Sequence, residues 1–158
     1  MSAVEWPAWT ASKARVVAPR SPLRGWRMWT VVDTQNGPRL CAPWTGVHHW
    51  LPGVNRTSTY ACVHRLHERH PLIDCNCGIR VVQSLAFLQA YATWRHWPLT
   101  AYAEVDVWGK VAPPVPDDDW RHTIRAEFAR IVGPLHLAPS HTALADALAR
   151  HYGIEAQS

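Results

Sequence analysis

Thr100-Ala101-Tyr102-Ala103-Glu104-Val105-Asp106-Val107-Trp108-Gly109-Lys110-Val111 alternates in character from end to end. Ala101, Ala103, Val105, Val107 and Gly109 face one way, and Tyr102, Glu104, Asp106, Trp108 and Lys110 face the other. A period of two over this length predicts a strand with one face on a core. Pro113, Pro114, Pro116 and the run Asp117-Asp118-Asp119 then break it with an exposed loop. Beyond the loop, Ile124, Ala126 and Phe128 alternate with Thr123, Arg125, Glu127 and Ala129, which predicts a second strand. The competing reading is a helix, because Ile124, Phe128 and Ile131 also stand near helical spacing; the strand is preferred.

Toward the N-terminus, Ser84 is a good N-cap for a helix in which Leu85, Leu88, Ala92 and Trp94 fall near one face until Pro98 ends it. Gly78-Ile79-Arg80-Val81-Val82 is strand-like. So is the stretch from Gly25, where Trp26, Met28 and Thr30 alternate with Arg27, Trp29 and Val31. Asn36-Gly37-Pro38 supplies a turn that pairs this strand with Arg39-Leu40-Cys41-Ala42 as a hairpin. Residues 43–58, with Pro43, Gly46, Pro52 and Gly53, read as a long structured loop. A last helix is expected to begin near Ser140 as N-cap behind Pro139 and to run through Leu144, Leu148 and His151 to a C-cap at Gly153. Together these elements predict an α+β fold: a mainly antiparallel sheet of four to six strands with two helices. The expected organisation is a basic N-terminal arm over residues 1–24, a core domain over 25–137, and a C-terminal helix and tail over 138–158.

At 158 residues the chain is the size of one domain, and an apolar fraction of 47% is enough for a core. No stretch approaches the ~18 apolar residues of a membrane span, and Glu5, Pro7 and Ser12 interrupt an opening too weakly apolar for a secretory signal. The expected location is the cytoplasm, where thiols stay reduced and the four Cys are buried, catalytic or metal-binding rather than bridged. Residues 1–80 carry ten Lys and Arg against four Asp and Glu, and residues 81–158 carry six against eight, so the first half is the basic one. Fourteen of the sixteen basic residues are Arg, the side chain suited to bidentate phosphate contacts and to stacking on rings. Codon usage in a GC-rich genome produces the same bias.

Cys62, His64, His67, His70, Cys75 and Cys77 fall within sixteen residues. Three thiolates and one imidazole complete a tetrahedral site, and that donor set favours zinc. The predicted cofactor is therefore one structural Zn2+ per chain in a Cys/His knuckle, with Cys62, Cys75 and Cys77 as thiolate ligands and His67 or His70 as the imidazole. Pro71 stiffens the backbone beside His70. The Cys75-Asn76-Cys77 spacing is tighter than that of usual knuckles and calls on Gly78 to permit the turn. Two other readings stand beside it: Cys41 and Cys62 as small buried hydrophobes on strands, and Cys75 with Cys77 as a redox or nucleophilic pair.

Trp26, Trp29, Trp44, Trp50 and His48-His49 surround the most basic part of the chain, with Arg20, Arg24, Arg27, Arg39 and Arg56 interleaved. Rings for stacking and guanidinium groups for phosphates are what a single-strand nucleic-acid groove uses; the plainer reading is that the Trp side chains build the core. Glu104 and Asp106 share a strand face with Trp108, and Glu127 joins them if its strand pairs alongside, which makes either a carboxylate cluster or a solvated sheet face. There is no phosphate-binding glycine loop, no Gly-x-Ser-x-Gly elbow and no His-Glu-x-x-His.

The run Pro71-x3-Cys75-x-Cys77-Gly78-Ile79, then Glu104-Val105-x-Val107-Trp108-Gly109-x-Val111 and Arg125-Ala126-Glu127-x-Ala129, resembles a group of small proteins of high-GC actinobacteria and their bacteriophages. The likeness spans roughly residues 25–137. It implies a domain of that extent and an actinobacterial or phage origin, and it brings no activity with it. The chain departs from the group at Glu68, where the group carries a His, and His67 and His70 flank that position. The function expected is that of an accessory protein with a structural zinc that binds a macromolecule, nucleic acid or a host protein. The alternative is an enzyme using Cys75 and Cys77, or a His and carboxylate set, on a nucleotide or phosphate substrate.

Overall fold

The computed structural model describes residues 6–7, 15–43, 49–57, 77–97, 99–113 and 123–157. Six strands and two helices follow in the order β1 (Leu23–Val32), β2 (Arg39–Cys41), β3 (Asn55–Arg56), β4 (Ile79–Val82), α1 (Leu85–Trp94), β5 (Thr100–Ala112), β6 (Thr123–Ile131) and α2 (Thr142–Tyr152). All pairings between named strands are antiparallel. The architecture is the α+β one that the alternating stretches predict.

The pairing closes on itself. β1 pairs along its length with β5, β5 with β6, β6 with β4, and β4 returns to β1 through Trp26 opposite Val82. β2 extends β1 at one end of this ring, and β3 extends β6. A ring of so few strands has a narrow interior, and the inward positions suit it: Ala101, Ala103, Ala126 and Ala129 are wholly buried beside Val105, Val107, Val81 and Trp29. A Cβ on Gly25 would stand 2.8 Å from Trp6 Cζ2 and 2.9 Å from the Val82 carbonyl, so only glycine fits there. α1 lies outside the ring and covers Met28 and Val82 with Leu88 and Ala92. α2 adds Leu148 and Tyr152 to the interior core, and the Tyr152 hydroxyl accepts from Leu40 N–H and donates to the Trp50 carbonyl.

Several local expectations match. The Ser84 hydroxyl caps α1 by accepting from Phe87 N–H, Gly153 takes the left-handed C-cap of α2 (φ 65°), and Gly37 (φ 90°) closes the β1–β2 hairpin. Residues 123–131 are strand, not helix. Others are corrected. Residues 1–24 are not an arm apart from the core where they are described: Trp6 donates to the Arg24 carbonyl, Val17 pairs with Val111, and Leu23 is already buried in β1. Residues 138–158 hold the expected C-terminal helix, which packs on the core through Leu148 and Tyr152, and Ala156 bridges to Leu135. Ser140 sits inside a 3-10 turn (Pro139–His141), so α2 starts at Thr142 without a side-chain cap. The loop read over residues 43–58 contains β3, which begins where the Asn55 amide folds back on Leu51 and Gly53.

The alternation in β6 changes phase. Opposite Gly109 and Lys110 the register slips, so Ala126 pairs with Val111 while Phe128 pairs with Trp108. Ile124 and Ala126 point inward before the slip and Ala129 and Ile131 after it, which turns Phe128 outward. Gly109 (φ 76°) makes this bulge, and Glu127 stabilises it by accepting from Lys110 N–H at 3.2 Å.

Candidate nucleic-acid interface

Directly opposed residues of antiparallel strands share a face, so Arg24, Asp106 and Arg130 form one row across β1, β5 and β6, and Trp108 with Phe128 forms the next. The Trp108 and Phe128 rings stack with centroids 5.9 Å apart and planes 18° from parallel. Both are half-buried, so each keeps surface toward solvent. The Arg130 guanidinium stands 6.0 Å from the Trp108 centroid, and that of Arg56, carried by β3 opposite Phe128, stands 5.5 Å from the Phe128 centroid.

Carboxylates hold these cations in place. Asp106 accepts from Arg24 Nε at 3.0 Å and Nη2 at 3.4 Å, and lies 3.9 Å from Arg130 Nη2. Glu127 accepts from Arg56 Nη2 at 3.5 Å. The hydrogen bond to Asp106 holds the Arg24 guanidinium above its ordinary value. The Arg24, Arg56 and Arg130 side chains remain 47%, 69% and 54% exposed, so the pairs are worth ~0–1 kcal/mol each in water and position the cations more than they stabilise the fold. Three guanidinium groups face two carboxylates here. Glu104, on the same face of β5 and close enough to act on Arg24, adds a third carboxylate, and the arginines keep N–H donors that Asp106 and Glu127 leave unused.

The residues expected to line a groove separate in the fold. Arg24 and Arg56 come together on this face. Arg27 and Trp50 are 7% exposed each and line no surface: the Arg27 guanidinium stacks 4.7 Å from the Trp50 centroid and donates to the Arg80 carbonyl at 2.8 Å. Arg27 shares the interior face of β1 with Leu23 and Trp29, and Trp50 packs into the same core. Desolvation, with the like charge of Arg80 second, pushes the Arg27 guanidinium down to about 9. Arg39 is half-buried at the hairpin and donates to the Pro38 carbonyl, and Arg20 is exposed ahead of β1. Trp44 lies outside the described residues.

Of the predicted zinc ligands, Cys62, His67, His70 and Cys75 lie outside the described residues. Cys77 is wholly buried at the entry to β4, where its carbonyl accepts from the buried Arg125 guanidinium. Among the described residues no group of three or more His, Cys, Asp or Glu is placed to hold a metal. Glu104, Asp106 and Glu127 do not converge: Asp106 and Glu127 each engage arginines, and Glu104 packs against Gly133. Nor does a substrate-sized cavity mark the Arg27 region, where the space beside Arg80, Val82 and Leu88 measures about 10 Å³, room for one water.

The sequence pattern puts Trp108 on a face with Glu104 and Asp106 and Phe128 on one with Ile124 and Ala126, and it gives no sign of Arg130. The signal that finds them is Gly109: a glycine inside an alternating strand marks a bulge, and a bulge re-aims the side chains opposite it. Comparison of the chain with protein-family models, with curated proteins and with solved structures gives no match. Among the described residues no helix is long and apolar enough to cross a membrane.

Proposed function

We propose that the protein is a non-catalytic accessory protein that binds nucleic acid through the outer face of β5 and β6. One observation carries this reading: the stacked, half-buried Trp108–Phe128 pair has an exposed guanidinium beside each ring. Aromatic faces accept bases by stacking and arginines accept phosphates, and a sheet face offers both in a fixed arrangement. A structural zinc on Cys62, Cys75, Cys77 and either His67 or His70 is part of the same proposal. It is supported by the donor set and by the buried position of Cys77, since structural sites exclude solvent. A cytoplasmic location and an origin in an actinobacterium or its phage rest on the sequence alone.

The test is anisotropy of a labelled oligothymidylate titrated with the protein over a range of salt. Three arginines engaging phosphates give a slope of log affinity against log salt near about −2, at ~0.7 per phosphate on a single strand. Arg56→Gln and Arg130→Gln each flatten that slope by ~0.7. Trp108→Ala weakens binding by a factor of roughly 5 to 150, the range for one stacked base. Affinity indifferent both to salt and to Trp108 would refute the proposal.

A further inference from the structure

We infer that the polymer is single-stranded and that it engages a second stacking station at the C-terminal end of α1; this rests on the reading of the β5–β6 face as a nucleic-acid surface. Among the described residues Trp94 is the most exposed of the large apolar side chains, at 63%. The Arg95 guanidinium stands 5.8 Å from the Trp94 centroid and 5.7 Å from that of Trp97, and Tyr91 lies 5.7 Å from both rings. Among the described residues, exposed guanidinium groups thus stand beside rings at two places on the surface.

The backbone is held in an uncommon conformation to build this second station. His96 has φ 54°, in the left-handed region that side chains other than glycine rarely occupy. It ends α1 in a Schellman turn, with His96 N–H donating to the Thr93 carbonyl and Trp97 N–H to that of Ala92. The turn folds Trp97 back onto Tyr91, while Trp94 stays outside.

The second station adjoins the start of β5, and Trp108 stands further along that strand. Tyr91, Trp97 and Tyr102 all pack against the small cluster of Met28, Val82, Leu88 and Ala92, and Tyr102 shares the outer face of β5 with Glu104, Asp106 and Trp108. From Tyr102 to Trp108 is six residues of strand, ~20 Å at ~3.3 Å each. Trp26, edge-on to His136 at 5.4 Å, and the Arg24–Asp106–Arg130 row occupy the interval. That span is about six nucleotides of a stacked strand at ~3.4 Å per nucleotide. A duplex keeps its base faces stacked inside, so neither station can use them; an unpaired strand offers every base.

Anisotropy with labelled oligothymidylates of about three and about twelve nucleotides, and with a duplex of the longer length, tests this. The longer strand is expected to bind at least ten-fold more tightly than the shorter one, and the duplex more weakly than the longer strand at equal salt. Trp94→Ala with Arg95→Gln, both exposed and removable without unfolding, should bring the longer strand down to the affinity of the shorter and leave the shorter unchanged. Binding that depends on Trp108 but shows no loss in the Trp94/Arg95 variant overturns the second station and leaves the β5–β6 reading intact. Duplex bound as tightly as the single strand overturns the claim of an unpaired ligand. No binding of any of the three refutes the underlying reading and directs attention to a protein partner.

Discussion

Replacing Gly109 by Ala tests the link between the fold and the proposed surface at one atom. A Cβ built there would stand 2.7 Å from Phe128 Cδ2, 2.8 Å from Glu127 Oε2 and 3.0 Å from Glu127 Cβ. The backbone at φ 76° adds its own penalty, ~1–2 kcal/mol for an L side chain in the left-handed region. Forcing atoms into filled space costs ~1–3 kcal/mol more, and the loss of unfolded-chain freedom returns under ~1 kcal/mol. The sum is a destabilisation of about 2–4 kcal/mol, or roughly 5–15 °C in melting temperature for a chain of this size. Gly53 is the matched control, because its φ of 79° is nearly the same and nothing lies within 4 Å of its Cβ position. Gly53→Ala should cost only the backbone part, about 1–2 kcal/mol. Urea denaturation followed by circular dichroism gives both values. Because relief of the Gly109 clash must displace Phe128 or Glu127, the same variant should weaken oligonucleotide binding at a temperature where it remains folded, and Gly53→Ala should not. Equal destabilisation by the two substitutions would refute the packing argument, and a folded Gly109→Ala protein with unchanged affinity would break the link to the surface.

Arg27 and Arg125 are both buried arginines with opposite prospects. Arg125 donates to the Pro113 and Cys77 carbonyls, so Arg125→Met should cost ~3 kcal/mol or more by leaving those acceptors buried and unpaired. Arg27 has a single carbonyl acceptor, and its Nε has no partner; Arg27→Met should stay within ~1 kcal/mol of the parent because relief of desolvation offsets the lost bond. Equal losses in a denaturation series would contradict this. Burial lowers the affinity of His136 and His151 for a proton, so the unfolded chain binds protons first. Stability is then fully present above the ordinary value near 6.5 and falls as pH drops through and below it. A denaturation midpoint flat between pH 7.5 and 5.5, or as steep in a His136→Gln/His151→Gln protein, would disprove the assignment. His96→Gly should raise stability by ~0.5–1 kcal/mol without loss of oligonucleotide affinity, since the turn keeps its shape; a loss of stability would contradict the strain. Native mass spectrometry of protein purified without chelator should show one zinc per chain, and Cys75→Ser or Cys77→Ser should lose both the metal and the fold. A metal-free, stably folded chain would remove the zinc.

The fold was legible where a period ran uninterrupted. Thr100–Val111 reads as a strand because every second residue is apolar, and the Ser84 cap and Gly153 stop carry their chemistry locally. The closure of the ring was not legible, since one pair, Trp26 opposite Val82, joins segments far apart in sequence. Nor could pattern alone show which face of β1 turns inward: Arg27 alternates with Trp26 and Met28 and reads as solvent-facing, yet it shares the interior face with Leu23 and Trp29.

The surface was half legible for a reason that lies in the same strand that decided the fold. A strict period of two assigns Phe128 to the face of Ile124 and Ala126, which is the core. Gly109 and Lys110 oppose Glu127 alone, so the phase reverses between Ala126 and Phe128, and every later residue of β6 changes sides. That reversal puts Ala129 and Ile131 in the core, where their size fits the narrow ring, and sends Phe128 and Arg130 out beside Trp108. Without the bulge, Phe128 would need space that Ala101, Ala103 and Ala129 show the interior lacks, and Arg130 would follow it inward without an acceptor. The glycine that interrupts the most regular strand is therefore the residue on which both the packing of the core and the composition of the outer face depend.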